Sequence, residues 1–457
     1  MVKFVLVLIL LTICFCGTKE EWRNRTIYQL LTDRFSRGNG DDSPCNDLSK
    51  YCGGTFKGIK DHLDYIQNLG FDAIWISPIP ENLGNDYHGY AFLNLFNINP
   101  HFGGSQNLSE LIEECHKRGI WVMLDIVANH VAPVNFDFSQ VIPFNSSIYY
   151  HDYCVVDFSR MWDDNAMREN CRLNNILPDL NQNNDFVRRT LNDWIKNIVS
   201  TYHFDGLRVD TAPYVPKDFW YEYSSAAGVY TVGEIFDSSS EHCSWYQGPL
   251  SAALNYPMYF TLQDVFKWGH TMYDIRRKYN DIHSHFSDSS VLATFADNHD
   301  NPRFLNIVPD INKFKNYLVF VLFAEGIPIV YYGSEQGFNG GNDPYCREPL
   351  WTSMNPSSEL YKFIALSNSY RKQYQVWNSA HVERYVDNNF YAFTRGNVLI
   401  CITSSSQYQS YFITYMDFKE GQKLCNIFDS QDCIIVQKGS LHIIMNNGLP
   451  QVYALND

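Results

Sequence analysis

The chain has 457 residues, 45% hydrophobic and 16% aromatic, with 35 basic against 50 acidic side chains for a formal net charge of −15. That balance excludes a nucleic-acid-binding role and attachment to an anionic membrane surface, since both need a basic face. The length admits two or three domains, although an α/β barrel alone takes about 250 residues, and the 10 Trp, 31 Tyr and 31 Phe suit a neutral ring-shaped ligand as well as a core.

"MVKFVLVLILLTICFCG" sets Lys3 before an apolar run over 4–16, and polar "TKEEW" follows. The run falls short of the about 20 residues that span a bilayer, so it reads as a secretory signal over 1–17, cleaved on export. No later apolar run is long enough for a membrane span. Without Cys14 and Cys16, ten of the 12 cysteines enter an oxidising compartment. Sequons at Asn24, Asn107 and Asn145 fit a secreted, extracellular or lysosomal-type route.

From residue 26 to about 375, helical and strand patterns alternate. "GIKDHLDYIQNLG" puts Ile59, Leu63, Ile66 and Leu69 on one helical face, with Gly70 as a stop. The buried-strand pattern "FDAIWISPI" follows. "NLSELIEECHKRG" repeats the helical period at Leu108, Leu111, Ile112 and Cys115 and leads into "IWVMLDIV". "DFVRRTLNDWIKNIV" does the same before "FDGLRVDTAPY". Further strands are expected over 27–31, 230–235, 252–256, 291–295 and 327–332. Eight strands with crossover helices predict a closed (β/α)8 TIM barrel, α/β in class, built from residues 18–130 and 184–379. Residues 131–183, rich in Asn and Asp, interrupt the alternation after the third strand and predict an inserted small domain. Over 380–457 the period becomes two, which predicts a C-terminal antiparallel β-sandwich domain.

Function in a parallel barrel sits at the carboxyl ends of its strands. Those ends carry Asp125-x-x-x-Asn129-His130, Arg208-x-Asp210, Gly233-Glu234 and Asn298-His299-Asp300. On a strand, Leu207 and Val209 share one face while Arg208 and Asp210 share the other. A structural ion pair explains one such pair. Three carboxylates from three strand ends, with two histidines and an arginine, point instead to one polar cleft.

"DIVANH", "GLRVDT", "GEIF" and "FADNHDNPR", in that order, resemble the four signature segments of the α-amylase family, glycoside hydrolase family 13. "YQLLTDRF", "YCGGTF", "DYHGY", "LNYPMYF" and "GGNDPYCRE" extend the likeness over the whole mature chain, in the manner of secreted fungal-type members. The resemblance implies Asp210 as nucleophile, Glu234 as acid/base and Asp300 as the third carboxylate of a retaining mechanism. Arg208 would keep Asp210 ionised, while Glu234 would sit in drier, less cationic surroundings that keep its proton. His130 and His299 are implied to bind hydroxyls, Tyr90 with His88 to form a stacking platform, and Gln29, Asp343 and Arg347 to make outer contacts. A calcium ion is implied on Asn129, Glu169, Asp179 and the carbonyl of Tyr214; chloride is not. Disulfides are implied for Cys45 with Cys52 and Cys154 with Cys171, and Cys425 could close a hairpin with Cys433. Cys115, Cys243, Cys346 and Cys401 stay unassigned.

Pro213-Tyr214 stand where fungal-type members carry Lys-His against leaving-group sugars. Weaker leaving-group binding is therefore expected, unless the Tyr214 ring stacks on a sugar. The implied function is a secreted α-amylase, expected as a monomer, cutting α-1,4-glucan chains (starch, glycogen, maltooligosaccharides) internally. An exo-acting or glycosyl-transferring relative is the alternative; a barrel that only binds carbohydrate would have been free to lose Asp210, Glu234 or Asp300.

Overall fold

Eight short strands built from the apolar runs pair in parallel: β1 (Ile27–Gln29), β2 (Ala73–Ile76), β3 (Trp121–Ile126), β4 (Gly206–Val209), β5 (Tyr230–Gly233), β6 (Ala252–Ala253), β7 (Ala293–Phe295) and β8 (Ile327–Tyr331). The computed structural model describes residues 17–455, so the expected signal segment lies outside them except for Gly17. Neighbours run β6-β5-β4-β3-β2-β1-β8-β7. A single bridge from Leu254 to Ala293 joins the two ends, and Asn255 N donates to Ala293 O at 2.7 Å. That seam turns the sheet into a barrel.

Helix α1 (Gly104–Lys117) buries Leu108, Leu111, Ile112 and Cys115, and α2 (Asp185–Tyr202) buries Val187, Leu191, Trp194, Ile195 and Ile198. Both match their period. The helical run over 59–69 keeps its apolar face inside but is broken at His62, whose φ of −119° leaves the helical region. The strand expected over 252–256 is also shorter, because it stops at Ala253. Asn255 caps a helix from Tyr256 to Trp268, accepting from Met258 N, and Pro257 sits in its first turn.

Between β3 and α2 the chain leaves the barrel as loops, two single-turn 3-10 helices (Phe138–Gln140 and Ser147–Tyr149) and a short α-helix, Asn165–Asn170, clamped by the Cys154–Cys171 disulfide. Val156, Met161, Cys171 and Tyr214 form a small apolar cluster there. Beyond residue 380, six antiparallel strands and a separate two-stranded pair enclose their own core, with Cys425 bonded to Cys433 on neighbouring strands. Cys45 is bonded to Cys52, while Cys115, Cys243, Cys346 and Cys401 are buried free thiols. Among the described residues no helix is long and apolar enough to cross a membrane.

Candidate active site

Alternation along β4 sends Leu207 and Val209 into the main hydrophobic core and Arg208 into the barrel mouth, where it is 1% exposed. A buried guanidinium needs anions. Nη1 donates to Asp125 Oδ1 at 2.9 Å and to Asp210 Oδ1 at 2.8 Å, and Nη2 pairs with Glu234 Oε2 at 2.8 Å. Asp125, Asp210 and Glu234 come from three adjacent strands, β3, β4 and β5. Arg208 therefore touches Glu234 as well as Asp210, so the expected less cationic setting for Glu234 is absent. The proton is held by burial instead.

One cation faces three carboxyls, so the group cannot be fully ionised without a large penalty. Burial pushes Asp210 up to about 6, with Arg208 opposing, and Asp125 likewise to about 6. Burial pushes Glu234 furthest, to about 8, against the opposing pull of Arg208 and with added repulsion from Asp210 and Asp300. Burial also works against ionised Asp300, but His299 and Arg347 outweigh it and hold this carboxyl below its ordinary value. Between those limits Asp210 is ionised and Glu234 protonated. Glu234 Oε2 accepts from Arg208 and, at 3.1 Å, from Thr211 N. The proton therefore rests on Oε1.

Across the mouth, Gln29 Nε2 lies 2.7 Å from His299 Nδ1. The amide can only donate there, so the ring proton is on Nε2, which faces the Tyr90 hydroxyl at 2.7 Å and Asp300 Oδ2 at 3.2 Å. Tyr90 in turn donates to Asp125 Oδ2 at 2.7 Å. Arg347 donates through Nε to His299 O at 2.9 Å, pairs with Asp343 Oδ1 at 3.0 Å, and reaches Asp300 Oδ1 at 3.4 Å. His88 Nδ1 accepts from Tyr90 N at 3.0 Å, with the two rings stacked at 5.7 Å. Gln29, His88, Tyr90, Arg208, His299, Asp300, Asp343 and Arg347 thus form one connected surface. Asp300 itself remains about a third exposed, at 34%.

His130 stands beside the residues implied to hold calcium. Its Nε2 faces the Tyr90 carbonyl at 3.1 Å, and burial pushes its pKa down to about 4. A neutral ring has one proton, here on Nε2, so Nδ1 accepts, and the Asn129 amide nitrogen supplies the donor at 3.2 Å. That choice turns the Asn129 oxygen toward Tyr214 O and Asp179 Oδ1, each 3.0 Å away. With the amide so placed, three oxygens meet. A hard cation satisfies such a cradle. Glu169 is not seen in it: this side chain pairs with Arg168 at 3.1 Å. Among the described residues no group of three or more His, Cys, Asp and Glu could hold a metal, and two of the three converging oxygens are an amide and a main-chain carbonyl.

The Tyr214 ring removes the exception attached to the expected weaker leaving-group binding. It is 9% exposed within the insert's apolar cluster, with its hydroxyl toward Met161 Sδ, so it cannot stack on a sugar. The Pro213 carbonyl accepts from Arg168 Nε at 3.0 Å, tying the same turn to the insert's helix. Asp125 stands among the strand ends with no role expected of it, and the structure makes it the hub joining Arg208, Tyr90 and Trp75. Its inward place on β3 was the available signal.

Residues 29–397 match the family model described as "Alpha amylase, catalytic domain". The chain is 36% identical to "Alpha-amylase" of Saccharomycopsis fibuligera over 95% of this chain and 92% of that one. It is 41% identical to "Alpha-amylase 1" of Lipomyces kononenkoae over 78% of this chain, and that match spans 59% of the relative's own length. The solved α-amylase of Malbranchea cinnamomea superposes with a TM-score of 0.92 at 37% identity, covering 96% of this chain and 98% of that chain. Four signature segments, a barrel that brings them to one mouth, and relatives matched over most of this chain converge: the chain belongs to the α-amylase family.

Proposed function

We propose that this protein is a retaining α-amylase that cuts α-1,4-glucan chains internally, with Asp210 as nucleophile, Glu234 as acid/base and Asp300 as the hydroxyl-binding carboxylate. The reading rests on one observation above all: a single guanidinium carries Asp210 on one nitrogen and Glu234 on the other, each at 2.8 Å. Glu234 Oε1 gives its proton to the glycosidic oxygen as an Asp210 oxygen bonds to the anomeric carbon and the carbon–oxygen bond to the leaving sugar breaks. Glu234, now a carboxylate, takes a proton from water, whose oxygen displaces Asp210 and frees the new reducing end. Asp300, His299 and Arg347 hold the sugar hydroxyls while the ring flattens.

A calcium ion on Asn129, Asp179 and the Tyr214 carbonyl, with Glu169 as an outlying fourth, would pin the insert to the barrel. We place the boundaries of the insert at 131–183 and of the terminal domain at 380–457. Export to an extracellular or lysosomal-type space fits the disulfides, and a monomer is the working state. Of the three sequons only Asn145 is exposed; Asn24 is half-buried and Asn107 lies in the first turn of α1. The test is the anomer and the length of the first products from amylose. Polarimetry or NMR should find the α-anomer, with viscosity falling well ahead of reducing ends. A β-anomer would overturn retention, and maltose alone from the outset would favour the exo-acting alternative.

A further inference from the structure

Thr211, directly after the nucleophile, has φ 46° and ψ 40°. This is the left-handed region, where a β-branched residue is an outlier, and a turn alone would be served by Gly or Asn. Such strain persists only when surrounding contacts over-determine it. The contacts here are to both working carboxyls. The Thr211 N–H donates to Glu234 Oε2 at 3.1 Å, and its hydroxyl donates to Asp210 Oδ2 at 3.2 Å.

We propose that Thr211 is a positioning residue for glycosidic cleavage: its hydroxyl fixes the nucleophile's second oxygen while its strained main chain fixes the orientation of the acid/base. Arg208 already holds Asp210 Oδ1. The Thr211 hydroxyl therefore completes a two-point grip, and being neutral and rotatable it can release Oδ2 as an ester forms there. Main-chain geometry does the equivalent for Glu234, because the N–H shares Oε2 with Arg208 and leaves Oε1 for the proton. The ionisable groups facing Asp210 are Arg208 on its own strand and Asp125, Glu234, Asp300 and Tyr90 on four other elements. None of them changes when the Thr211 side chain does.

This inference rests on the proposed roles of Asp210 and Glu234, and two complementary changes separate it from them. Thr211→Val keeps shape and branching but loses the hydroxyl; Thr211→Ser keeps the hydroxyl and loses the methyl. Losing a donor to the ionised nucleophile should raise the acid limb of the kcat/KM profile by about one pH unit in the Val enzyme, and lower its plateau about tenfold. The alkaline limb, set by Glu234, should stay, because the N–H remains. The Ser enzyme should match wild type in both limbs, within about twofold on the plateau. A Val enzyme with an unmoved acid limb overturns the inference, whatever its melting temperature; so does a Ser enzyme that shifts as Val does. If the Val enzyme does not fold, Thr211→Ala carries the same readout. Asp210→Asn, assayed alongside, keeps the two ideas apart: activity there would sink the role of Asp210, whereas an inert Asp210→Asn with an unmoved Val limb would sink only Thr211.

Discussion

The two sides of the barrel mouth are built on opposite plans. On one side Gln29, Tyr90, His299, Asp300 and Arg347 form a chain of polar contacts between 2.7 and 3.4 Å, with Asp300 left open to solvent. On the other side, Ala212-Pro213-Tyr214 are all buried, and both the Tyr214 ring and the Pro213 carbonyl turn toward the insert. The first side offers a run of hydrogen-bonding groups, as the proposed grip on sugar hydroxyls needs. The second spends the same stretch of chain on holding two parts of the fold together. A loop next to the proposed nucleophile can therefore serve architecture.

The sharpest way to break this contrast is at its shared centre. Asp210→Asn and Glu234→Gln should each lower turnover on soluble starch at least about 10³-fold while the melting curve persists, since either change removes one of two indispensable chemical roles. If either retained a tenth of wild-type turnover, less than ~1.4 kcal/mol of barrier, the role assignment would fall.

A second test acts on the structural side alone. Tyr214→Ala should destabilise the fold by about 3–5 kcal/mol in a denaturant titration, as expected for emptying a buried aromatic site. Turnover per folded molecule should change far less. If stability held and activity on short oligosaccharides collapsed, the ring would be a substrate contact after all and the contrast would dissolve.

The smallest expected effect comes from the cation. Calcium bound only to the folded chain must raise its stability, by about 2.7 kcal/mol at one hundred times its dissociation constant. Exhaustive chelation should then lower the melting temperature by roughly 5 °C, with loss of the insert's protection from proteases first. An unchanged melt with metal absent would mean that the Asn129 amide is turned, its nitrogen donating to Tyr214 O and Asp179 Oδ1, and that no cation binds there.

Much of this was legible because the barrel writes its site in a simple code. Arg208, Asp210 and Glu234 stand out as charges at the ends of apolar strands, and alternation says which way Arg208 points. Elements failed where local signals competed. "LNYPMYF" has the β-branched-poor but aromatic look of a strand, yet Asn255 and Pro257 start a helix, and the strand shrinks to Ala252–Ala253. His62 breaks a run whose apolar period continues undisturbed on both sides. The Tyr214 ring could not be placed from sequence, because a loop has no period to say which neighbour covers it. Nor does sequence reveal that Thr211 is left-handed, since Thr is an improbable residue there and marks no turn.

The narrow seam between β6 and β7 has its own consequence for motion. Every other pair of neighbouring barrel strands shares at least two residue pairings, while this one rests on the Leu254–Ala293 bridge, the Asn255 amide and an Asn255 side-chain contact to Thr294 at 3.2 Å. A ladder that short opens by local fluctuation rather than global unfolding. Amide deuterium uptake should accordingly mark 252–255 and 293–295 as the barrel's earliest-exchanging strand residues, a hinge line running up the wall beside Asn298 and Asp300.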